Sequence, residues 1–212
     1  KFCNAKIADE LFEISKIKLD SFLELLPYIK KTSVTSKQLQ ILIKLNFFKK
    51  YGNNKFLLSV TDVYNEFSQC KIISKKKVEK YIQMYNVEED IFRAFSKKET
   101  NTQYREIDNE GLISYIVSRI KNEKLSVKEQ IKCEFEYLQY TNFKDSSIDV
   151  NFYIVIEFKT YKDSSKPYLK LRNLNSGKEI KCRIKDSFFY KYRPFDKFSI
   201  LNIQGFRYDF KK

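Results

Sequence analysis

The chain has no histidine, and its four glycines, Gly52, Gly111, Gly177 and Gly205, each stand alone. Without histidine, a Ser-His-Asp or Cys-His nucleophile pair and a histidine-based metal site are excluded. Isolated glycines exclude a glycine-rich phosphate loop. Both absences disfavour a self-contained enzyme.

Clustered cysteines and long apolar runs are also missing. Cys3, Cys70, Cys133 and Cys182 are too far apart for a zinc knuckle or a CxxC pair, which predicts ordinary thiols in a reducing, cytoplasmic compartment. No apolar run has the length of a membrane span or signal peptide. We therefore expect no cofactor, no metal and no membrane partner. Because the first residue is Lys1 and not Met, we also expect a piece of a larger protein.

Positive charge is abundant and unevenly distributed. The 41 Lys and Arg exceed the 27 Asp and Glu, giving a net charge of +14. Residues 150–212 hold 15 of these cations against 6 acids, together with 14 of the 34 Phe and Tyr residues. Cations and aromatic rings in one place favour nucleic acid as the partner. The alternative is a lysine-rich solvated surface, as for the cluster Lys75–Lys77.

Helical periodicity runs through residues 1–141. Capping signals predict helix starts at Ser36, after the Thr35–Gln38 capping box, after Asp108, and after the Ser126–Glu129 capping box. Segments 56–70 and 74–85 also have helical character, the latter capped by Ser74. Residues 96–105 are polar and aperiodic, which predicts a mobile loop. We expect a helical domain over 1–141 and a linker over 142–149.

Beyond the linker the apolar period changes from about 3.6 to about 2. Alternating residues predict strands at 152–159, 167–172, 180–185, 198–203 and 206–210, with a turn over 173–178 and a short helix or turn over 186–192. Five strands with a helix between the third and fourth are the order of an OB-fold barrel. The predicted fold class is therefore α+β: an all-helical domain with helix-hairpin-helix-like units, then a five-stranded OB-fold β-barrel over 150–212.

The second and third of these strands carry the candidate nucleic-acid site. Pairing them as a hairpin puts the outward residues on one face, with no acid expected among them. Tyr153 and Tyr161 on the first strand extend the face, and stacking rings beside a cationic track are typical of single-strand binding. The alternative is that alternating cations only keep sheet edges soluble. Phe188, Phe189, Phe195 and Phe198 are assigned to the core. The outward residues are Tyr168, Lys170, Arg172, Lys181, Arg183 and Lys185.

A fainter signal lies in two short breaks, at 2–4 and 33–35, each of which precedes a helix. Turns of helix-hairpin-helix units aim backbone N–H groups at a DNA phosphate. Both breaks lack glycine, so plain helix packing is the alternative interpretation. The predicted phosphate contacts are Asn4, Lys6, Thr35, Ser36 and Lys37.

Three stretches resemble segments of one protein family. Residues 34–48 are similar to a segment in which "VNKR" leads into "LIKAGAFD", residues 128–140 to an "EKEALGFY" stretch, and residues 166–193 to "KKGKPMAFLTLEDETGS" followed by "YEKYR". The family is that of the bacterial family C DNA polymerases, the replicative polymerase III alpha subunits and their phage relatives. The chain resembles their C-terminal region, where tandem helix-hairpin-helix units precede an OB-fold. It is divergent, since it lacks the hairpin glycines and the "SGHPL" segment, and Gln139 replaces the glycine of "LGFY".

The resemblance implies a fragment that holds DNA and does not polymerise it, because the family's palm carboxylates have no counterpart here. Its expected partners are single-stranded DNA, with duplex DNA and other polymerase domains or replisome subunits as further candidates. Two alternatives stay open: a stand-alone single-strand-binding protein, and an OB-fold module that docks an acidic replisome partner. An enzyme of another class would need a metal at Glu88, Glu89 and Asp90, but adjacent acids spread around a helix and favour a solvated cap.

Overall fold

A computed structural model describes residues 5–159, 168–183 and 195–206. The chain divides into two units, the first ending at Leu125 and the second beginning at Ser126. The described residues form eight α-helices and two antiparallel sheets, of three and four strands. None of the helices in these ranges is both long and apolar enough to cross a bilayer.

Two predicted helix starts in the first unit are confirmed. Helix α3 starts at Ser36, and Thr35 and Gln38 form the expected capping box. Asp108 accepts a hydrogen bond from the Gly111 N–H at the start of α7. The elements are α1 (Ala5–Ser15), α2 (Phe22–Ile29), α3 (Ser36–Lys44), a 3-10 turn (Lys49–Tyr51), α4 (Asn54–Phe67), β1 (Ile72–Ser74), α5 (Lys75–Tyr85), α6 (Asp90–Ala94), β2 (Ser96–Glu99), β3 (Gln103–Ile107) and α7 (Asn109–Arg119).

Two apolar clusters hold this unit together, and α4 contributes to both. One packs α2, α3 and α4 around Ile43 and Leu57, which are almost fully buried. The other packs α4, α5, α6 and α7 against the three-stranded sheet, around Phe67, Tyr104 and Leu112. Helix α4 therefore connects the two apolar clusters of the unit.

The all-helical prediction for residues 1–141 is wrong at the three-stranded sheet, whose order is β1-β3-β2. The predicted mobile loop over 96–105 is a β-hairpin, with Lys98 opposite Arg105 and Glu99 opposite Tyr104. Strand β2 reads Ser-Lys-Lys-Glu and has no apolar alternation, so its sequence carries no strand signal. The hairpin is held by tertiary contacts of Tyr104, which is 1% exposed, and by pairing with β1.

The second unit contains α8 (Val127–Leu138), β4 (Phe152–Lys159), β5 (Tyr168–Asn173), β6 (Glu179–Arg183) and β7 (Ile200–Asn202). The predicted capping box at Ser126 and Glu129 is present at the start of α8. Ile131 of α8 is fully buried against Ile154 of β4 and Leu174. Helix α8 thus belongs to the strand-rich unit. The unit boundary precedes it, whereas the sequence-based linker lies at 142–149.

The four strands of this unit form an antiparallel sheet of order β6-β5-β4-β7. They match the first four predicted strands, and the turn at 174–177 has Gly177 at φ +72°, a left-handed conformation that glycine adopts without strain. Within the described ranges the sheet does not close into a barrel. The predicted helix or turn over 186–192 and most of the fifth strand over 206–210 lie outside the described residues.

Strand β4 contains a bulge, because its register against β5 shifts between Val155 and Glu157. Ile154 and Ile156 pack on the face covered by α8. Val155 and Phe158 pack on the other face, in a second cluster with Leu169 and Leu171 of β5. Both faces of the sheet are therefore buried along much of β4, which differs from the predicted strand with one buried face.

The Ile131→Ala variant tests whether α8 is part of the second core. Removing a fully buried side chain should lower the free energy of unfolding by about 2–5 kcal/mol through lost burial and a cavity. Amide hydrogen exchange in β4 and β5 should speed up with it. The exposed neighbour provides the control: Lys132→Ala should leave stability and exchange nearly unchanged. Equal effects of the two variants would contradict the packing of α8 on the sheet.

An ion cluster in the first unit predicts a dependence of stability on pH. Glu99 accepts hydrogen bonds from Arg93 and Lys75, which lower its pKa from 4.5 to about 2. Because the folded-state pKa lies below that of the unfolded chain, the stabilisation is present above about pH 4.5 and is lost as the pH falls toward 2.

Glu99→Gln should therefore flatten the fall of the melting temperature between about pH 5 and pH 2. Glu79→Gln is the matched control, since Glu79 is exposed on α5 and forms no ion pair with the described residues. If both variants keep the slope of the unmodified protein, the Glu99 cluster does not stabilise the fold.

Candidate nucleic-acid interface

The register of β5 and β6 brings together four of the predicted site residues. Tyr168 lies opposite Arg183, and Lys170 lies opposite Lys181. Residues directly opposite on antiparallel strands share a face, with Cβ atoms about 4.5–5.5 Å apart. Lys181 and Arg183 are exposed, whereas Tyr168 and Lys170 are half-buried. We call these four residues, together with Lys159 at the end of β4, the hairpin face.

Lys159 belongs to the hairpin face because it lies opposite Tyr168 across β4 and β5. Lys159 is the last residue of the predicted first strand, but it is not among the predicted site residues. The signal that would have found it is its position after the bulge, where β4 side chains join the face of Tyr168. With it the face has a cation on each of three adjacent strands.

Two carboxylates also lie on this side of the sheet, so the expectation of a face without acids is wrong. Glu179 lies opposite Arg172, and its Oε2 is 2.6 Å from Lys170 Nζ. Glu157 lies opposite Lys170, and the ammonium of Lys159, 2.7 Å away, holds the pKa of this carboxyl below its usual range. Among the described residues, Lys181 and Arg183 have no carboxylate within 4.0 Å. These two cations are the ones available to a ligand.

Arg172 has a structural role. Its side chain is only 12% exposed, and its Nε and Nη2 both donate to the Phe143 carbonyl at 3.2 Å. A third contact joins Nη1 to Glu179 Oε1 at 3.4 Å. The guanidinium therefore fastens the segment after α8 to the sheet and points its donors away from solvent.

Tyr153 does not extend the face. Tyr153 lies opposite Leu201 and belongs to the cluster with Val155 on the other side of the sheet. Its ring makes an edge contact with Phe206, with centroids 5.4 Å apart. The bulge in β4 explains the error, because it reverses the facing of the strand between Val155 and Glu157. Tyr161 and Lys185 lie outside the described residues.

Two of the phenylalanines assigned to the core are in it. Phe195 packs in the cluster of Leu169 and Leu171, and Phe198 packs on Phe135 of α8 with ring centroids 5.7 Å apart. Phe188 and Phe189 lie outside the described residues. Cys182 also faces this interior, and burial raises the pKa of its thiol.

The backbone of the turn before α3 is already bound by a side chain of the protein itself. The Ser33 N–H and Oγ donate to the two carboxylate oxygens of Glu10, at 2.7 and 3.0 Å. The Ser33 N–H holds the pKa of Glu10 below its usual range. Lys6, a predicted phosphate contact, lies beside this carboxylate with its Nζ 4.0 Å from Glu10 Oε1. A phosphate that approached the turn would meet this carboxylate.

The other predicted contacts at this turn form the start of α3. Thr35 uses its hydroxyl and N–H in the capping box with Gln38, while Ser36 and Lys37 are exposed in the first turn. Asn4 lies outside the described residues. The structure thus brings Lys6 and the 33–37 segment together, but around a carboxylate.

No protein-family model, curated protein or solved structure matches the chain. Across the described ranges, no group of three or more Cys, Asp or Glu side chains is arranged to hold a metal ion.

Separate roles for Arg172 and for the exposed cations lead to a stability test. Arg172→Ala should lower the free energy of unfolding by about 1–3 kcal/mol, because it leaves the Phe143 carbonyl without its charged donor. Lys181→Ala should change stability by no more than about 0.5 kcal/mol, as expected of an exposed residue. Chemical denaturation of the two variants measures the difference. A neutral Arg172→Ala would show that the guanidinium contacts do not hold the fold.

Proposed function

We propose that the chain is a non-catalytic, DNA-binding portion of a replicative DNA polymerase, in which the second unit binds single-stranded template across the hairpin face. The observation that carries the proposal is the register of β5 and β6, which puts Tyr168 beside Arg183 and Lys170 beside Lys181. The first unit contacts duplex DNA in the same proposal.

The arrangement of the hairpin face suits an extended single strand. Rows of opposite residues two positions apart along a strand are separated by about 6.4–6.8 Å, so Tyr168 and Arg183 form one row and Lys170 and Lys181 the next. A base can stack on Tyr168 while neighbouring phosphates contact the exposed Lys181 and Arg183. Stacking on a ring tolerates any base, which predicts binding without sequence preference.

The sheet order supports an OB-fold for the second unit. The described strands run as a three-strand meander, β4, β5 and β6, and the next strand, β7, returns to pair with β4. An OB-fold begins in the same way, and its second and third strands form the usual nucleic-acid face. Here these strands are β5 and β6, which carry the hairpin face.

Two backbone conformations support the family resemblance. In the compared segments glycine stands where this chain has Asn46, in "LIKAGAFD", and Gln139, in "EKEALGFY". Both residues have left-handed backbone here, with φ of 61° and 68°. Glycine adopts that conformation with less strain than any other residue. The glycines of the family segments are therefore compatible with the backbone at both positions. Gln139 ends α8, and its N–H donates to the Phe135 carbonyl.

The test is binding of a labelled oligo-dT strand to the full chain, measured by fluorescence anisotropy over a range of salt concentrations. The double variant Lys181→Ala/Arg183→Ala should bind more weakly. Its log affinity should also fall less steeply with log salt, by about 0.7 for each lost phosphate contact. Tyr168→Ala should lose about 1–3 kcal/mol of binding free energy, and Tyr168→Phe should retain it because the ring remains.

The matched control removes two exposed lysines of the first unit, in Lys18→Ala/Lys124→Ala, with nearly the same loss of charge. This control should keep single-strand affinity close to that of the unmodified protein. No single-strand binding at micromolar protein, or equal losses in both double variants, would overturn the proposed site.

A further inference from the structure

A part of the first unit has the connectivity of a winged helix-turn-helix. Helix α4 leads through β1 to the consecutive helices α5 and α6, and the β2–β3 hairpin follows. The strand order β1-β3-β2, with β1 and β2 both antiparallel to β3, is also that of a winged helix. The likeness concerns fold only, and a function has to be argued from the surface.

The hairpin is fixed to α5 by specific contacts. The Lys75 N–H, at the start of α5, donates to the Thr102 carbonyl in the hairpin turn at 2.9 Å. Glu99 of β2 joins Lys75 to Arg93 of α6. Beneath these contacts Ile73 and Tyr104 are almost fully buried. Charged residues here are therefore held on a rigid support.

Cations without a carboxylate partner among the described residues collect around β1 and the hairpin; Arg105 donates instead to the Gln103 side chain. Ile72 lies opposite Arg105, and the Lys71 carbonyl accepts the Glu106 N–H at 3.1 Å. Lys98 lies opposite Arg105 and pairs with Glu106, and Lys97 is the preceding residue on β2. On the α5 side, Lys77 lies in the first turn of the helix that directly follows β1. These observations place Lys71, Lys97 and Arg105 at the end of the sheet where β1 and β2 start, with Lys77 nearby in the sequence on α5.

Two more cations, Lys76 and Lys80, lie near Lys77 on α5, since Lys80 is one turn from both Lys76 and Lys77. All six cations are exposed, and none has a carboxylate within 4.0 Å among the described residues. By contrast, Lys75 and Lys98 are paired with Glu99 and Glu106. The wing surface is defined as Lys71, Lys76, Lys77, Lys80, Lys97 and Arg105.

The composition of this surface favours duplex DNA over a single strand. Single-strand sites combine cations with exposed rings for base stacking, as Tyr168 provides on the hairpin face. Beneath the wing surface the rings of Tyr81, Tyr85 and Tyr104 are buried. Cations on a rigid support without stacking rings suit the regularly spaced phosphates of a duplex.

Base reading by α6 does not fit the structure. Helix α6 has five residues, Asp90–Ala94, and follows Glu88 and Glu89, so acids precede the position of a recognition helix. Contacts limited to phosphates position a duplex but carry no sequence information.

We infer that the wing surface is a second DNA-binding site, which holds the phosphate backbone of duplex DNA without reading its sequence. The inference deepens the proposed function and rests on it for DNA as the ligand. In this inference the first unit contacts duplex DNA through β1, α5 and the β2–β3 hairpin. The turn at 33–37 does not contact DNA, because its Ser33 N–H is bound by Glu10 of α1.

The test compares two triple variants of the full chain with matched charge. Lys71→Ala/Lys77→Ala/Lys97→Ala removes part of the wing surface, and Lys18→Ala/Lys49→Ala/Lys124→Ala removes three exposed lysines elsewhere in the same unit. Each is titrated with a blunt duplex of about two helical turns (~20 bp) and with oligo-dT of the same length. Circular dichroism melting checks that both variants are folded.

The wing variant should bind the duplex about tenfold or more weakly, with a salt slope smaller by about 0.9 for each lost phosphate contact. Its affinity for oligo-dT should not change, and the control triple should keep both affinities. Lys181→Ala/Arg183→Ala should do the opposite, losing oligo-dT and keeping duplex.

Equal loss of duplex affinity in the two triple variants would overturn the inference, because it would reflect total charge and not this surface. Absence of duplex binding by the unmodified protein would also overturn it, together with the duplex contact of the proposed function, while leaving the proposed single-strand site intact. If the unmodified protein binds duplex DNA but no single strand, the duplex site at the wing surface is supported and the single-strand site at the hairpin face is contradicted.

Discussion

The second unit depends on a one-residue irregularity in β4. Before the bulge, Ile154 points toward α8 and Val155 points to the opposite face. After it, Phe158 shares the face of Val155, while Glu157 and Lys159 join the side of the hairpin face. Without the extra residue, Phe158 would be carried to the charged side and Lys159 into the apolar cluster. The bulge thus keeps the apolar cluster of Leu169 and Leu171 on the side of the sheet opposite to the surface proposed to bind DNA.

The features that could be predicted from the sequence are those whose interactions are local. The helix starts at Ser36 and after Ser126 were predictable because each capping box is completed within three residues. The β5–β6 hairpin was predictable for the same reason, since alternation and a turn with Gly177 fix its register. The β2–β3 hairpin was not. Its strands are short and charged, and its support is one buried ring, Tyr104, and a partner strand about thirty residues earlier in the chain.

The same distinction between local and distant interactions applies to the candidate site. Alternation alone brought Lys170, Lys181 and Arg183 to one face. It could not show that Arg172 would turn to the Phe143 carbonyl, because that partner is 29 residues away and belongs to no regular element. A residue's outward position on a strand therefore predicts which face it joins, but not whether its charge is available.

The carboxylate of Glu10 has a consequence for the turn before α3. A backbone N–H that faces solvent can bind whatever anion arrives, but the Ser33 N–H already has one, attached to a neighbouring helix and present at a fixed position. An external phosphate would have to displace a tethered competitor whose effective concentration is far above that of any free ligand. Glu10, held in position by α1, therefore competes with any external anion for the Ser33 N–H.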